Sequence, residues 1–470
     1  MSSLQIHNAL RVATMDGQRR EFTGGHIRFE NGVITSVGPG PAPGPADREL
    51  DATGMVVLPG FVNTHHHLYQ SLTRAIPRMQ DQGLFDWLLN HYEVWRELDE
   101  DCVFAGAQLG LLELMKSGTT TSSDHHYLFP RQASPHLIDA QIRAARDLGL
   151  RFMPTRGSMS LGRSQGGLPP DDVVQTESEI RADTERLLAE YHDASPGAMT
   201  RLVLAPCSPF SVTSAEMRDT ARFARQHGLR LHTHLAETLD EEAFCLKQFG
   251  QRPVAYVEGL DWLGEDAWFA HSVHLSDEEI ARMGAAGAGV SHCPSSNMRL
   301  GSGIARIREL LQAGVAVSLG VDGSASNDSG NMLLELRNAL LISRLRDPAC
   351  WLGARDVLEM ATIGGARVLG RDDIGSLAVG KRADIALFSL DGIEYSGAHS
   401  DPLAALVFCA RQGSVDTLIV DGRIRIENGR SSLDEAELVL RHRRLSARMI
   451  ERASRRTGVN FLMADERKEA

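Results

Sequence analysis

Three consecutive histidines, His65 to His67, lie inside the chain and follow the apolar residues 55–58 after a short stretch, residues 59–64. In an extended strand, side chains at positions i and i+2 share a face, so His65 and His67 point the same way. Two imidazoles on one side of a strand end provide half of a tetrahedral or five-coordinate metal site. A histidine run can also be a tag or a surface tract, but tags lie at chain termini. The spacing and the apolar flank therefore predict a metal centre.

A second histidine pair, His232 and His234, precedes Glu237 in a later predicted strand. Both rings are expected on the inward face, and His234 is nearer the end of the strand. His234 is therefore the better ligand, whereas His232 is expected to be a hydrogen-bonded interior histidine. Glu237 is placed to act as a general acid or base towards a water molecule on the metal. A glutamate at this position more often begins a helix, so Glu237 alone is weak evidence.

Three further candidates, His271, His292 and Asp322, fall at the ends of later predicted strands. Each of these histidines alone would more often be structural than catalytic. Their occurrence in chain order at separate strand ends favours one mononuclear site. A metal in it would lower the pKa of a water molecule to about 7. The predicted ligands are His65, His67, His234 and Asp322.

A repeated pattern indicates the elements that position these residues. Between residues 100 and 325, helical segments end in glycine and a strand follows at once, at Gly118, Gly149, Gly228, Gly287 and Gly314. Glycine after a helix closes it in the left-handed region. Alternating helices and strands imply a parallel sheet covered by helices. About eight such units predict an α/β fold with a (β/α)8 TIM barrel.

The last predicted barrel strand, residues 315–322, alternates bulky and small side chains. The bulky set, which includes Val317, would face the helices, and the small set would face the barrel interior. Asp322 would then point inward at the C-terminal end of the strand, where barrel enzymes keep their chemistry. Two long connections are expected at this mouth, residues 68–100 and 157–175. The first carries aromatic residues such as Trp87, which could equally cover a flat ring or pack the loop.

The two chain ends contain short alternating runs separated by turn residues. Asp421-Gly422 and Asn428-Gly429 are hairpin signals. We expect residues 1–58 and 371–430 to form a small flanking β-sandwich domain, and residues 59–370 to form the metal-dependent barrel. Residues 431–470 are expected to form a C-terminal helical extension, whose apolar stripe at helical spacing is Leu438, His442, Leu445 and Met449.

Composition narrows the class of protein. The chain has 470 residues and a formal net charge of −12, which argues against a nucleic-acid surface. There is no signal-peptide pattern and no apolar run long enough to span a bilayer, so we expect a cytoplasmic protein without a membrane partner. The six cysteines are scattered without a Cys-x-x-Cys pair, which favours neither a disulfide framework nor a zinc ribbon.

Taken together, these motifs resemble the amidohydrolase superfamily, in its cytosine deaminase and guanine deaminase branch. The motifs are Pro-Gly-Phe-Val-Asn-Thr-His-x-His, His-x-x-Glu, Ala-His, Ser-His and Val-Asp-Gly, and residues 375–384 are typical of the family's return to its β-domain. The resemblance implies that the four predicted ligands hold zinc, although the same ligands accept iron. It also implies that Glu237 is a proton shuttle and that His271 orients the hydroxide or polarises the reacting bond. Binuclear branches carry a bridging lysine near residues 202–209; here Cys207 stands in that stretch and no lysine does.

The resemblance also implies hydrolytic deamination of a free base. Residues 68–74, 122–130 and 207–211 are most similar to members that act on 8-oxoguanine, giving urate and ammonia. Isocytosine-type rings are further possible substrates. The candidate substrate-binding residues are Gln70, Tyr127, His292, Trp87 and Cys207.

Other functions stay open at this stage. One is a triazine aminohydrolase of the hydroxyatrazine type; another is a deaminase of S-adenosylhomocysteine or guanine. A catalytically silent scaffold is a third, but scaffolds typically lose metal ligands and every expected ligand is present. Relatives commonly form dimers, so a homo-oligomer of a dimer or higher is expected.

Overall fold

The computed structural model describes residues 3–410 and 415–464. The end of the predicted C-terminal extension, residues 465–470, lies outside the described residues. So do residues 1–2 and 411–414, which fall within the predicted β-domain.

The N-terminal part of the chain forms short strands that divide between two sheets. They are β1 (Ser3–Ala9), β2 (Arg11–Ala13), β3 (Glu21–Phe22), β4 (Gly25–Glu30), β5 (Val33–Pro39), β6 (Arg48–Asp51) and β7 (Met55–Pro59). One sheet has the order β5-β4-β1-β6. The other strands, β2, β3 and β7, join the C-terminal strands. A shared apolar core that includes Ile6, Ile27, Val57 and Ile385 lies between the sheets.

The central sheet is a nearly closed barrel. Its strands are β8 (Phe61–Asn63), then, after the short β9 (His66–His67), β10 (Thr119–Asp124), β11 (Arg151–Ser158), β12 (Val203–Pro206), β13 (Arg230–Leu235), β14 (Ala267–His271), β15 (Gly289–His292) and β16 (Ala316–Leu319). Every neighbouring pair is parallel. The short β17 (Asp322–Gly323) pairs with β9 and joins the last strand to the first. The predicted α/β barrel is confirmed.

Helices follow the barrel strands on the outside. The α-helices up to residue 368 are α1 (Leu84–Trp95), α2 (Glu100–Lys116), α3 (Leu137–Leu148), α4 (Glu177–Tyr191), α5 (Ser214–His227), α6 (Leu239–Phe249), α7 (Pro253–Glu258), α8 (Asp277–Ala285), α9 (Pro294–Arg299), α10 (Ile307–Gln312), α11 (Met332–Ser343), α12 (Ala354–Glu359) and α13 (Gly365–Val368). The five glycines predicted to close helices all have positive φ. A strand begins within two residues after each of them.

The C-terminal part returns to the β-layer. Its elements are β18 (Ile385–Ser389), α14 (Pro402–Cys409), β19 (Thr417–Val420), β20 (Arg423–Glu427), β21 (Arg430–Ser431) and α15 (Glu435–Thr457). Strand β18 lies between β7 and β19, so both chain ends share one sheet. Both predicted hairpin turns have positive φ at their two central residues, for example 52° at Asp421 and 74° at Gly422. The predicted stripe of α15, including His442 and Met449, is buried.

A buried arginine ties the barrel to the β-layer. Arg151 begins β11, and its Nε lies 3.0 Å from Asp384 Oδ2. Its Nη1 donates to the carbonyls of Gly197 and Ala198 at 2.7 and 2.8 Å. The guanidinium is fully buried, so these contacts replace its hydration.

Two details differ from the predicted layout. The last barrel strand ends at Leu319 rather than running on to Asp322, because the chain packs closely against the first strand here. A Cβ on Gly320 would lie 2.7 Å from His65 Cβ, so only glycine fits. The connection over residues 68–100 is not an open loop: it contains 3-10 turns at Leu68–Thr73 and Pro77–Met79, and then α1. Within the described ranges, no helix has both the length and the apolar character needed to cross a membrane.

Candidate metal centre and active site

The four predicted ligands meet at the C-terminal mouth of the barrel. His65 Nε2 and His67 Nε2 each lie 3.3 Å from Asp322 Oδ1. His67 Nε2 lies 3.1 Å from His234 Nε2. All four side chains are buried. Tertiary structure therefore brings three imidazoles and one carboxylate from the first, fifth and last strand positions of the barrel to one point.

Hydrogen bonds fix the tautomers of two of these rings. His67 Nδ1 donates to the carbonyl of His125 at 2.7 Å, and His234 Nδ1 donates to the carbonyl of Cys207 at 2.7 Å. A carbonyl oxygen can only accept, so each Nδ1 carries a proton, and in the neutral ring each Nε2 presents a lone pair. Two lone pairs 3.1 Å apart repel each other unless a cation lies near both.

The donor set fits a divalent metal. His65 Nε2 is buried and makes no hydrogen bond among the described residues. Three imidazole nitrogens and one carboxylate oxygen suit zinc or iron. Ligand atoms of His65, His234, His271 and Asp322 all lie within 4.8 Å of one another. The site can therefore hold one metal ion without rearrangement of the fold.

A further histidine, His125, lies in the same cluster and was not predicted as a site residue. Its ligand atom lies within 4.8 Å of those of His65, His67 and His234, and its ring stacks on His234 with centroids 4.7 Å apart. Its Nε2 donates to the carbonyl of Ala205 at 2.8 Å, which uses that nitrogen. The sequence could have indicated His125, because it directly follows the strand β10 and therefore lies at the same barrel mouth.

Asp322 is held in a strained conformation. Its φ is +60°, which side chains with a Cβ rarely adopt. Oδ1 accepts from the Gly323 amide at 2.6 Å and Oδ2 accepts from Ser326 Oγ at 3.1 Å.

Other residues at the barrel mouth, in or next to the candidate site, also have a positive φ. It is 53° at Ala236, 70° at His271 and 49° at Ser272. Such backbone conformations cost of order 1–3 kcal/mol each and persist where surrounding structure enforces them. Together with Asp322, these residues show that the backbone is locally strained around the candidate site.

Glu237 and His271 face each other beside the donor set. Glu237 Oε2 lies 3.6 Å from His271 Nε2, and His271 Nδ1 lies 2.9 Å from Asn297 Oδ1. Burial raises the pKa of Glu237 well above its usual value, and the Asp322 carboxylate raises it further. The raised pKa favours the protonated form of Glu237, as for a general acid next to a charged partner.

The loop that carries Glu237 is fixed by another carboxylate. Glu241 Oε1 accepts from the Ala236 amide at 2.8 Å, and its Oε2 accepts from the Glu237 amide at 2.9 Å. Burial raises the pKa of Glu241 to about 7. Sequence reasoning missed Glu241 and Asn297; both act through backbone or ring contacts that only the folded chain defines.

A cavity opens over these groups. Beside His67, His234, Glu237, His271 and Asp322, its walls include four of the predicted substrate-binding residues: Gln70, Trp87, Tyr127 and Cys207. The remaining wall is mostly apolar and comes from Leu84, Leu88, Tyr92, Phe210 and Leu300. An apolar cavity with a few convergent polar groups is typical of a small-molecule site.

Two of the predicted substrate-binding residues, His292 and Cys207, differ from the other three in their surroundings or charge. His292 is buried but is not among the lining residues of this cavity, and neither ring nitrogen has a hydrogen-bond partner within residues 3–410 and 415–464. Burial raises the pKa of the Cys207 thiol to about 12, so it is a neutral thiol rather than a thiolate. Cys207 contributes to the metal centre through its carbonyl, which accepts from His234.

Known proteins share this architecture. The model of the amidohydrolase family matches residues 56–425. The chain is 49% identical to an 8-oxoguanine deaminase of Pseudomonas aeruginosa over 452 residues, 96% of this chain and 100% of that protein. It is 40% identical to an isoxanthopterin deaminase of an unknown prokaryotic organism, over 93% of this chain and 95% of the relative.

Solved structures agree with these matches. The atrazine chlorohydrolase of Arthrobacter aurescens TC1, solved in complex with zinc, superposes with a TM-score of 0.91 at 36% identity. The match covers 94% of this chain and 100% of that one. The likeness therefore extends over nearly the whole length of both chains.

Proposed function

The chain belongs to the amidohydrolase family, and on that premise we propose that it hydrolyses the exocyclic amine of 8-oxoguanine to give urate and ammonia. The family's hydrolases of cyclic C–N bonds supply the reaction class. The observation that carries the substrate is 49% identity to an 8-oxoguanine deaminase across 96% of this chain. The donor set and the acid–base residues, which meet at one barrel mouth, support the same reaction.

We assign one divalent metal to His65, His67, His234 and Asp322, with zinc preferred and iron as the alternative. Zinc is favoured because a related structure at 36% identity was solved with it. When bound, such a metal lowers the pKa of a water molecule and so provides a nucleophile at neutral pH. The chain's own residues then move the protons and hold the ring.

Each proton transfer has a candidate residue. Asp322 keeps its second oxygen, Oδ2, for the proton that the attacking water loses, and Ser326 Oγ orients that oxygen. Glu237, as the buried acid, donates a proton to the ring nitrogen next to the carbon under attack. The new C–O bond forms, the C–N bond breaks, and the amine leaves as ammonia with the proton that Asp322 has taken. The hydroxyl proton then passes to Glu237, which leaves a ring carbonyl and restores the acid. His271, near both carboxyl groups, polarises the reacting centre.

Unpaired buried groups in the cavity wall favour a lactam ring. Trp87 Nε1 and Gln70 Oε1 are buried and make no hydrogen bond among the described residues. An unpaired buried donor and acceptor each cost about 1–3 kcal/mol, so a ligand that pairs both is favoured. A ring carbonyl beside a ring N–H offers the acceptor that Trp87 needs and the donor that Gln70 needs. We propose that Tyr127 and Cys207 also contact the substrate ring, through apolar surface and along its edge.

Related rings are the second candidates. A relative at 40% identity is an isoxanthopterin deaminase, and the structural neighbour at 36% identity is a chlorohydrolase of the triazine atrazine. S-adenosylhomocysteine, guanine and isocytosine-type rings remain further alternatives. A catalytically silent scaffold is disfavoured because the predicted donor set is complete and converges at one point.

An ammonia-release assay with the metal-loaded protein tests the proposal. The panel comprises 8-oxoguanine, guanine, isoxanthopterin, isocytosine and S-adenosylhomocysteine, which would release ammonia. It also includes hydroxyatrazine, whose amino groups are alkylated, so that its product is followed as ethylamine. We expect the highest kcat/KM for 8-oxoguanine. A higher kcat/KM for another ring would replace the substrate, and no ammonia from any of them would reject deamination.

A further inference from the structure

His65 is held differently from the other two histidine ligands. His67 and His234 donate directly to backbone carbonyls, but His65 Nδ1 lies 2.8 Å from the side chain of another histidine, His232 Nε2. His232 Nδ1 in turn lies 3.0 Å from the carbonyl of Trp268. The ring that must present its Nε2 to the metal therefore depends on a second imidazole.

The direction of these hydrogen bonds is determined by the carbonyl at their end. The Trp268 oxygen can only accept, so His232 Nδ1 must donate. A neutral imidazole has one donor and one acceptor, so His232 Nε2 accepts and His65 Nδ1 donates. The lone pair of His65 is then left on Nε2, which lies 3.3 Å from Asp322 Oδ1.

Trp268 also links this chain of hydrogen bonds back to the backbone beside His65. Its indole Nε1 donates at 3.2 Å to the carbonyl of Thr64, the residue directly before His65. The indole and the His232 imidazole stack, with centroids 4.4 Å apart and planes at 16°. Trp268, His232, His65 and Thr64 are all fully buried. The backbone before His65 and the ring of His65 are thus fixed by the same two partners.

We propose that His232 and Trp268 are positioning residues that set the tautomer and direction of His65 and thereby the affinity of the metal centre. This inference rests on the proposed metal site. Neither residue lies in the cavity wall among the described residues, so their effect on substrate would be indirect. Partners that orient metal-binding histidines are typically worth about 10- to 100-fold in metal affinity or activity.

Replacement of the second imidazole tests the proposal. In His232→Leu, His65 Nδ1 loses its acceptor, and we expect the zinc Kd, measured by competition with a chelating dye, to rise by about 10- to 100-fold. His232→Gln keeps a side-chain acceptor and donor and is expected to recover part of the loss. His442→Leu is the matched control, because His442 is a buried histidine whose Nε2 lies 3.1 Å from a side-chain atom, Ser71 Oγ, outside the proposed donor set; its zinc Kd should stay at the wild-type value. An unchanged Kd in His232→Leu would overturn the proposal.

A second measurement needs no metal. Long-range proton–nitrogen spectra of histidine-labelled, metal-free protein report which nitrogen of His65 is protonated. We expect Nδ1–H in the wild type and a tautomer mixture in His232→Leu. If that variant does not fold, Trp268→Phe removes only the indole donor to Thr64 and should still weaken zinc binding. A wild-type Nε2–H tautomer would reject the positioning role, whereas failure of the wild type to bind any metal would reject the proposed site instead.

Discussion

The Nε2 atoms of His67 and His234 lie 3.1 Å apart, although each ring already uses its Nδ1 to donate to a backbone carbonyl. Neither nitrogen facing the gap has a proton to share. The pair is therefore organised for a cation, and the two residues are 167 positions apart in the chain. Local strand geometry predicts half of this site, and the closed barrel supplies the other half.

Metal removal should lower stability. A ligand that binds only the folded state at about 100 times its Kd adds about 2.7 kcal/mol. We expect zinc to raise the Tm of chelated protein, measured by scanning calorimetry, and elemental analysis to find one metal per chain. His234→Ala should show no bound metal and no zinc-dependent rise in Tm. Equal Tm values for wild type with and without zinc would contradict the metal centre.

Glu237→Gln should abolish most turnover while the metal stays bound. The amide cannot donate a proton to the ring nitrogen, and loss of a general acid costs about 10²-fold or more in kcat. The measurement is kcat for ammonia release, with metal content determined on the same sample. A kcat within a factor of three of wild type would remove Glu237 from the mechanism.

Glu241→Ala should lower kcat without loss of metal. The change leaves the Ala236 and Glu237 amides unpaired in a buried loop, at a cost of about 1–3 kcal/mol for each group. The loop then holds the Glu237 carboxyl less firmly. Steady-state kinetics and metal analysis check this, and Glu241→Gln, which keeps one acceptor oxygen, should fall between wild type and Glu241→Ala.

Trp87→Phe should weaken use of the lactam substrate. Phenylalanine keeps an aromatic wall but removes the buried N–H, which costs about 0.5–1.5 kcal/mol of substrate binding if a hydrogen bond is lost. We expect KM for 8-oxoguanine to rise severalfold with little change in kcat. Gln70→Leu, which removes the unpaired acceptor, should act in the same direction. Unchanged kcat/KM in both variants would show that neither group contacts the ring.

Arg151→Met should destabilise the whole chain. Asp384 and the carbonyls of Gly197 and Ala198 would lose their buried partner, and breaking a buried ion pair on one side costs about 3–5 kcal/mol. Urea unfolding measures the change. Arg181→Met is the control, because its pair with Glu185 is exposed and should contribute less than about 1 kcal/mol. Equal unfolding free energies for the two variants would reject the role of Arg151.

Most of the barrel could be predicted from the sequence because its signals are local. A glycine that ends a helix, such as Gly149, acts through its own φ, and the next strand begins within two residues. The Asp421-Gly422 turn is likewise set by the two residues themselves. The end of the last strand at Leu319 was not predictable in this way, since the close approach of Gly320 to His65 exists only in the closed barrel.

The sequence by itself determined which residue types stand at the strand ends, and so the four proposed metal ligands and the candidate acid Glu237. Strand periodicity places those side chains on the inner face wherever the strand lies in the barrel. Tertiary structure alone decided how these side chains are held. The contacts are the hydrogen bonds of His65 with His232 and of His232 with Trp268, of Glu241 with the Glu237 amide, of Asn297 with His271, and of the His125 carbonyl with His67. Most of these contacts join residues that are far apart in the chain, so closure of the barrel, and no local spacing, selects each pair.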